Sequence, residues 1–248
     1  MEKNKSVKRM DWRQKVLISI LGSFIVILSI LFCITYHYFV KKIETGNEKV
    51  VLMTFEQAEK NLKNVLENAE LCLDKYVTND LIWDYKNDYP ETDVESSELK
   101  VKITDSFIDE MAVNRELSAL GFLRGDGWGI VSSAFRKNRT GNTQISGKLL
   151  KILRQSKDVY PYTTWLPSWE LNLNNDSPLR LMTQNASLIG IKALGENSEL
   201  EKDGYLIVAV SESNLQSTYR SVAFDDSTAV LVDGNNQIIS NVGEDLLG

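Results

Sequence analysis

Two tyrosines and two tryptophans, Tyr160, Tyr162, Trp165 and Trp169, fall within ten residues, in a stretch interrupted by Pro161 and Pro167. Rings gathered in an irregular segment suit the wall of a small-molecule pocket, which joins aromatic sides to a few polar groups. Trp128 on a neighbouring predicted strand and Arg180 on a later one complete a candidate binding set of Trp128, Tyr160, Tyr162, Trp165 and Arg180. Stacking on a sugar or another small organic molecule is the chemistry such a set would serve. Packing against a sheet core is the competing use of any one ring.

Other chemistries find little support. The single histidine, His37, lies in an apolar run, so the rest of the chain has none for a catalytic triad or a zinc site. Acidic residues are abundant, but no spacing marks a catalytic pair, and solvated surface is their default. Gly125-Asp126-Gly127-Trp128-Gly129 has the glycines of a phosphate loop but precedes a predicted strand and lacks the lysine. It reads as a hairpin turn. Asp233-Gly234-Asn235-Asn236 reads as another turn, because the remaining ligands of a calcium loop are missing. No catalytic residue, metal or cofactor is expected in this chain. Asn138, Asn175 and Asn185 begin N-x-Ser/Thr triplets, and Arg180, with Arg124 and Arg136 around the predicted hairpin, offers charge for an anionic ligand, surface placement being the competing use.

The elements that would position these residues divide by charge. Residues 1–15 are basic, whereas 41–248 carry a formal charge of about −10. That sign argues against a nucleic-acid partner. From Val16 to Val40 there is no formal charge. Twenty-five helical residues reach roughly 37 Å, enough to cross a hydrocarbon core with some tilt. The run closes on Thr35-Tyr36-His37-Tyr38-Phe39-Val40, an interfacial belt without a small-x-small cleavage pattern, so it reads as a signal anchor. The upstream cations place the N-terminus in the cytoplasm and residues 41–248 outside. Cys33 and Cys72 are roughly 58 Å apart along a continuous helix and cannot pair within the chain.

Beyond the span, helical period holds to about Asn79. Val51, Phe55, Ala58, Leu62, Val65, Ala69, Cys72 and Tyr76 alternate spacings of four and three, a heptad seam. Two uses are open: pairing with a second copy, or packing against the chain's own domain. Asn79-Asp80 and the segment around Pro90 then break the helix. A helix is expected from Ser96 to Asn114, and a hairpin from Leu117–Leu123 and Trp128–Ala134. Another helix at Gly147–Lys157 is followed by strands at Leu179–Ile191 and Gly204–Val210, separated by a polar stretch at 195–203. A helix at Glu212–Val222 leads to a last hairpin, Ala229–Val232 and Gln237–Asn241. The fold class is α+β, with helices segregated from an antiparallel sheet.

A helix rising from a membrane anchor, a hairpin-led sheet, and a helix into a second hairpin together resemble the double Cache (PAS-like) extracytoplasmic sensor region. The nearest likeness is to bacterial sensor histidine kinases paired with AraC-type response regulators. Thr54-Phe55-Glu56-Gln57-Ala58-Glu59 resembles the opening phrase of their long helix. Leu231-Val232-Asp233-Gly234-Asn235-Asn236-Gln237-Ile238-Ile239-Ser240 resembles the start of their membrane-proximal module, and Leu247-Gly248 soon after also fits.

The resemblance implies a cytoplasmic tail at 1–15, a transmembrane helix at 16–40 and a long helix at 41–79. It further implies a membrane-distal Cache module at 80–222 and the incomplete start of a proximal one at 223–248. Ligand-induced helix motion across the membrane, in a homodimer of a two-component transducer, is the implied function. The kinase domain with its phosphoacceptor histidine would then lie outside these residues. A binding or adhesion module on a single anchor, without signalling, is the alternative. The arginine that precedes the Trp-Tyr pair in amino-acid-binding Cache modules has no counterpart in Thr163-Thr164-Trp165-Leu166.

Overall fold

A computed structural model describes residues 12–87, 93–134, 137–171, 177–195, 204–223 and 228–242. The basic residues before Asp11, the Pro90 break, Arg136, Asn175, the polar stretch 196–203 and Leu247-Gly248 lie outside the described residues. The chain divides into two units, Met1–Met53 and Thr54–Gly248.

The apolar run and the helical stretch beyond it form one element, α1, Trp12–Val77. In the first unit it exposes apolar side chains throughout Val16–Phe39. Among the described residues it is the one helix long and apolar enough to cross a membrane. Within the second unit α1 becomes amphipathic. Ala58, Val65, Ala69, Cys72, Leu73 and Tyr76 are buried, and Leu62 and Leu66 pack beside them. The Asn79 side chain then accepts the Leu81 N–H at 3.0 Å and starts a new helix, α2, Asp80–Asn87. α3 runs Asp93–Val113. Tyr76 Oη donates to the Ser106 carbonyl at 2.8 Å, and Lys75 pairs with Glu110, so α1 and α3 are joined by polar contacts as well as by rings.

Six antiparallel strands follow: β1 Leu117–Arg124, β2 Trp128–Ser133, β3 Asn138–Asn142, β4 Thr164–Pro167, β5 Ala186–Ala193 and β6 Gly204–Ser211. Their order across the sheet is β3-β2-β1-β6-β5-β4. Between β1 and β2 the turn needs glycine at 127. Its φ is +97°, and a Cβ there would stand 2.6 Å from the Thr143 carbonyl oxygen.

Alternation along β6 feeds two cores. Leu206, Val208 and Val210 face α1, α2 and α3 with Leu120, Phe122 and Ile130. Tyr205, Ile207 and Ala209 face the other way, under α4, Gly147–Asp158, with Leu149, Ile152 and Leu153. Both faces are covered, so the central strands are apolar at nearly every position. α5, Glu212–Tyr219, leads to a separate two-stranded sheet of β7, Ala229–Val232, and β8, Ile238–Val242. The chain is α+β, as its patterning predicts.

Three local expectations need correction. Residues 178–183 form a 3-10 helix rather than the first half of a strand. Ser177 Oγ accepts the Leu179 N–H at 3.2 Å and Pro178 occupies the first position, a helix-start signal that outweighs the apolar run. β4 lies within the predicted aromatic loop, and β3 falls where no strand was predicted. β3 is exposed and polar, which hides an edge strand from any hydrophobic pattern.

Candidate functional site

β4 is an edge strand, and a cleft of about 540 Å³ opens beside it. One wall is β4 itself, with Thr164, Trp165 and Pro167. Another is α4, started by Ser146, whose Oγ accepts the Leu149 N–H at 3.2 Å. Burying Ile152 and Leu153 turns Lys151 and Gln155 outward to the cleft. The β7–β8 turn closes it. Asp233 Oδ1 accepts the N–H groups of Asn235 and Gln237, both at 2.8 Å, which holds the turn rigid. Glu170 lies on the rim.

Trp165 links this cleft to the long helix. Its indole Nε1 donates to Glu70 Oε1 of α1 at 2.9 Å. Next to it, Lys192 of β5 pairs with Asp74, one helical turn beyond Glu70. Trp165 opposes Gly190 in the β4–β5 ladder, and Lys192 lies two residues further along β5, so both side chains leave the same face of the sheet. The Thr164 hydroxyl, which leaves β4 on the face opposite the indole, is buried with no partner among the described residues.

The five predicted binding residues are not gathered into one site. Trp165 lines the cleft. Trp128, on β2, is separated from it by β1, β6 and β5, about 19 Å at ordinary strand spacing. Lys100 Nζ of α3 stands 5.4 Å from the Trp128 ring centroid. Tyr160 packs on the core beneath α4, and Tyr162 is 74% exposed. Arg180 sits half-buried in the 3-10 helix, not on a strand. Arg124 bonds Asp126 Oδ2 at 2.5 Å within its own turn. The space under α4 is filled by Leu149, Leu153, Leu179, Leu181 and Met182.

The seam residues divide likewise. Ala58, Val65, Ala69, Cys72 and Tyr76 are spent on the chain's own core, and Leu62 packs against it. Val51 is half-buried and Phe55 is 52% exposed. Sequence reasoning missed Glu70, Asp74 and Lys192. A lysine inside the apolar run of β5 was the available signal for the last of these.

No family model matches the chain, and no curated protein matches it. Among solved structures it is similar to the sensory domain of the Campylobacter jejuni chemoreceptor Tlp3 (CcmL). The identity is 15% over 79% of this chain and 74% of that one, with a TM-score of 0.40. The ligand-binding domain of the same receptor in complex with L-valine gives 16% identity over 76% and 71%, with a TM-score of 0.40. Its complex with 4-methylisoleucine gives 16% over 80% and 73%, with a TM-score of 0.41.

Proposed function

We propose that this chain is the extracytoplasmic ligand-sensing region of a membrane-anchored bacterial signal transducer, in which occupancy of the Trp165 cleft is passed to α1. The hydrogen bond from Trp165 to Glu70 carries this reading. One side chain both walls the cleft and is held by the helix that contains the uncharged segment Val16–Val40. A ligand that prefers one placement of the indole thereby prefers one arrangement of α1. Such differential affinity is the requirement for any ligand to bias two states.

The ligand is a sugar or another small organic molecule. The cleft has the volume of a small-molecule site, and Lys151, Gln155, Glu170 and Asp233 offer donors and acceptors around one aromatic wall. The N-terminus lies in the cytoplasm and residues 41–248 outside, on the charge asymmetry of the anchor. The finer assignment is to a homodimeric sensor histidine kinase paired with an AraC-type regulator. It rests on the phrases at Thr54–Glu59 and Leu231–Ser240.

Thermal-shift screening of sugars, amino acids and organic acids against the full chain in detergent micelles tests the reading. A compound that raises the melting temperature, loses affinity in Trp165→Ala and alters hydrogen exchange across residues 54–77 is the expected result. Exchange changes confined to β4, α4 and the β7–β8 turn would reject transmission through α1. Failure of every compound would reject the sensory reading itself.

A further inference from the structure

We infer a second ligand site, separate from the Trp165 cleft, that takes a small organic acid bearing hydroxyl groups. It is a cleft of about 900 Å³ where the start of β1 and the end of β6 meet α5 and β8. Most polar groups in its lining are already engaged. Asn214 Nδ2 donates to the Arg115 carbonyl at 2.6 Å, and Ser211 Oγ meets Ser213 Oγ at 2.9 Å. Gln216 Nε2 donates to Glu212 Oε1 and to the Asn241 carbonyl, both at 2.9 Å. Ser240 Oγ donates to the same Glu212 oxygen at 2.6 Å and meets Tyr219 Oη at 2.5 Å.

What remains has a definite chemistry. Arg115 and Arg220, both exposed, line the cleft, and neither guanidinium has an ion pair or hydrogen bond among the described residues. The carboxamide of Asn185, also exposed, has no partner among the described residues. Its backbone is in the left-handed region, φ 55°, and its carbonyl accepts the Glu212 N–H at 3.0 Å, which fixes the residue at the cleft.

In residues 41–248, where acids exceed bases by about ten, two arginines in one cleft with no carboxylate partner among the described residues point to a carboxylate from outside. The volume far exceeds an inorganic ion and matches a small organic ligand. Glu212 keeps its second oxygen for a donor, and a ligand hydroxyl supplies one while Asn185 supplies the complementary amide. The hydrogen bonds from Glu212 and Tyr219 to Ser240 form part of the same region, so a bound acid tightens β8 against α5.

This site does not rest on the Trp165 reading, and one experiment separates the two. The full chain in detergent micelles is titrated calorimetrically with tartrate and with gluconate, with glucose and inorganic phosphate as controls at matched ionic strength. At least one acid is expected to bind, with affinity reduced about tenfold in Arg115→Gln and in Arg220→Gln. Melting temperatures without the acid are expected to match the parent, and Trp165→Ala to retain acid binding. Slower amide exchange across β7 and β8 on adding the acid is the expected second readout. Absence of binding by both acids overturns the inference. So does affinity indifferent to both arginines, or phosphate binding as well as the acids do, which marks an adventitious ion only.

Discussion

The indole of Trp165 lies against Gly190, where a Cβ would stand 3.0 Å from Trp165 Cζ3 and 3.0 Å from Val208 Cγ1. The two residues face each other across the β4–β5 ladder, so the missing side chain makes room for the ring. Gly190→Ala forces the indole or the valine to give way. A loss of roughly 1–3 kcal/mol is expected in urea unfolding of the full chain in micelles, with a shift in indole emission. An unchanged midpoint together with an unchanged spectrum would show that the ring is not held by this packing.

Lys192 is 8% exposed on β5 and reaches the half-exposed Asp74 of α1. Removing the acid strands a lysine among aliphatic neighbours, whereas replacing the lysine as well removes the problem. Asp74→Ala is expected to cost roughly 1–3 kcal/mol, between the values for exposed and buried pairs. Adding Lys192→Met should recover most of that. A double variant no more stable than Asp74→Ala would show that the pair contributes nothing beyond its own packing.

These two contacts mark how far the sequence was legible. β1, β2 and β6 declare themselves by apolar runs between turn residues, and α4 by its stripe of Leu149, Ile152 and Leu153. Trp165 stood out because its neighbours keep no helical or strand period. Its partner Glu70 is 95 residues away on a helix with many acids, and nothing local distinguishes Glu70 from Glu67 or Glu59. Distance along the chain hides such pairs, since no period or cap encodes them. The heptad pattern of α1 was legible as well. A stripe that packs on its own sheet and one that packs on a second copy share the same spacing.

Burial pushes the Cys72 thiol up to about 12, with the Glu110 carboxylate adding to the rise and Lys75 opposing it. The folded chain keeps this proton where the unfolded chain, with an ordinary thiol near 9.0, releases it. Stability from this group is therefore intact below about pH 9 and falls as pH rises from there toward 12. Unfolding midpoints measured from pH 8 to 11 should drop more steeply for the parent than for Cys72→Ala. Iodoacetamide should leave Cys72 unmodified at pH 8 until the chain unfolds. Equal slopes for both proteins would show that the thiol is not shielded.

With Cys72 2% exposed and Val65 8% exposed, the part of the predicted seam that α1 can still offer a second copy is Val51 and Phe55 rather than the later stripe. In a Cys33→Ala background, oxidation of membranes should crosslink Phe55→Cys into a dimer and leave Val65→Cys monomeric. Crosslinking at Val65 alone would mean that the long helix separates from its sheet. Absence of crosslinking at both Val51→Cys and Phe55→Cys would remove the homodimer seam from α1.

The sensing reading predicts that two changes at Trp165 behave differently. Trp165→Phe keeps an aromatic wall for the cleft but removes the N–H that bonds Glu70. Trp165→Ala removes both, along with the packing over Gly190. Loss of one hydrogen bond to a charged partner costs roughly 1.5–3 kcal/mol, and truncating a packed tryptophan about 3–5. Stability should thus fall in the order parent, Phe, Ala. Ligand affinity should stay within about threefold for Trp165→Phe, because a stacking face survives, and should fall much further for Trp165→Ala. The decisive quantity is the ligand-dependent change in hydrogen exchange at residues 54–77, normalised to fractional occupancy. It should vanish in Trp165→Phe and equally in Glu70→Gln if the bond carries the signal. Persistence of that change in both variants, at saturating ligand, would place the route to α1 elsewhere, with the Lys192–Asp74 pair next in line.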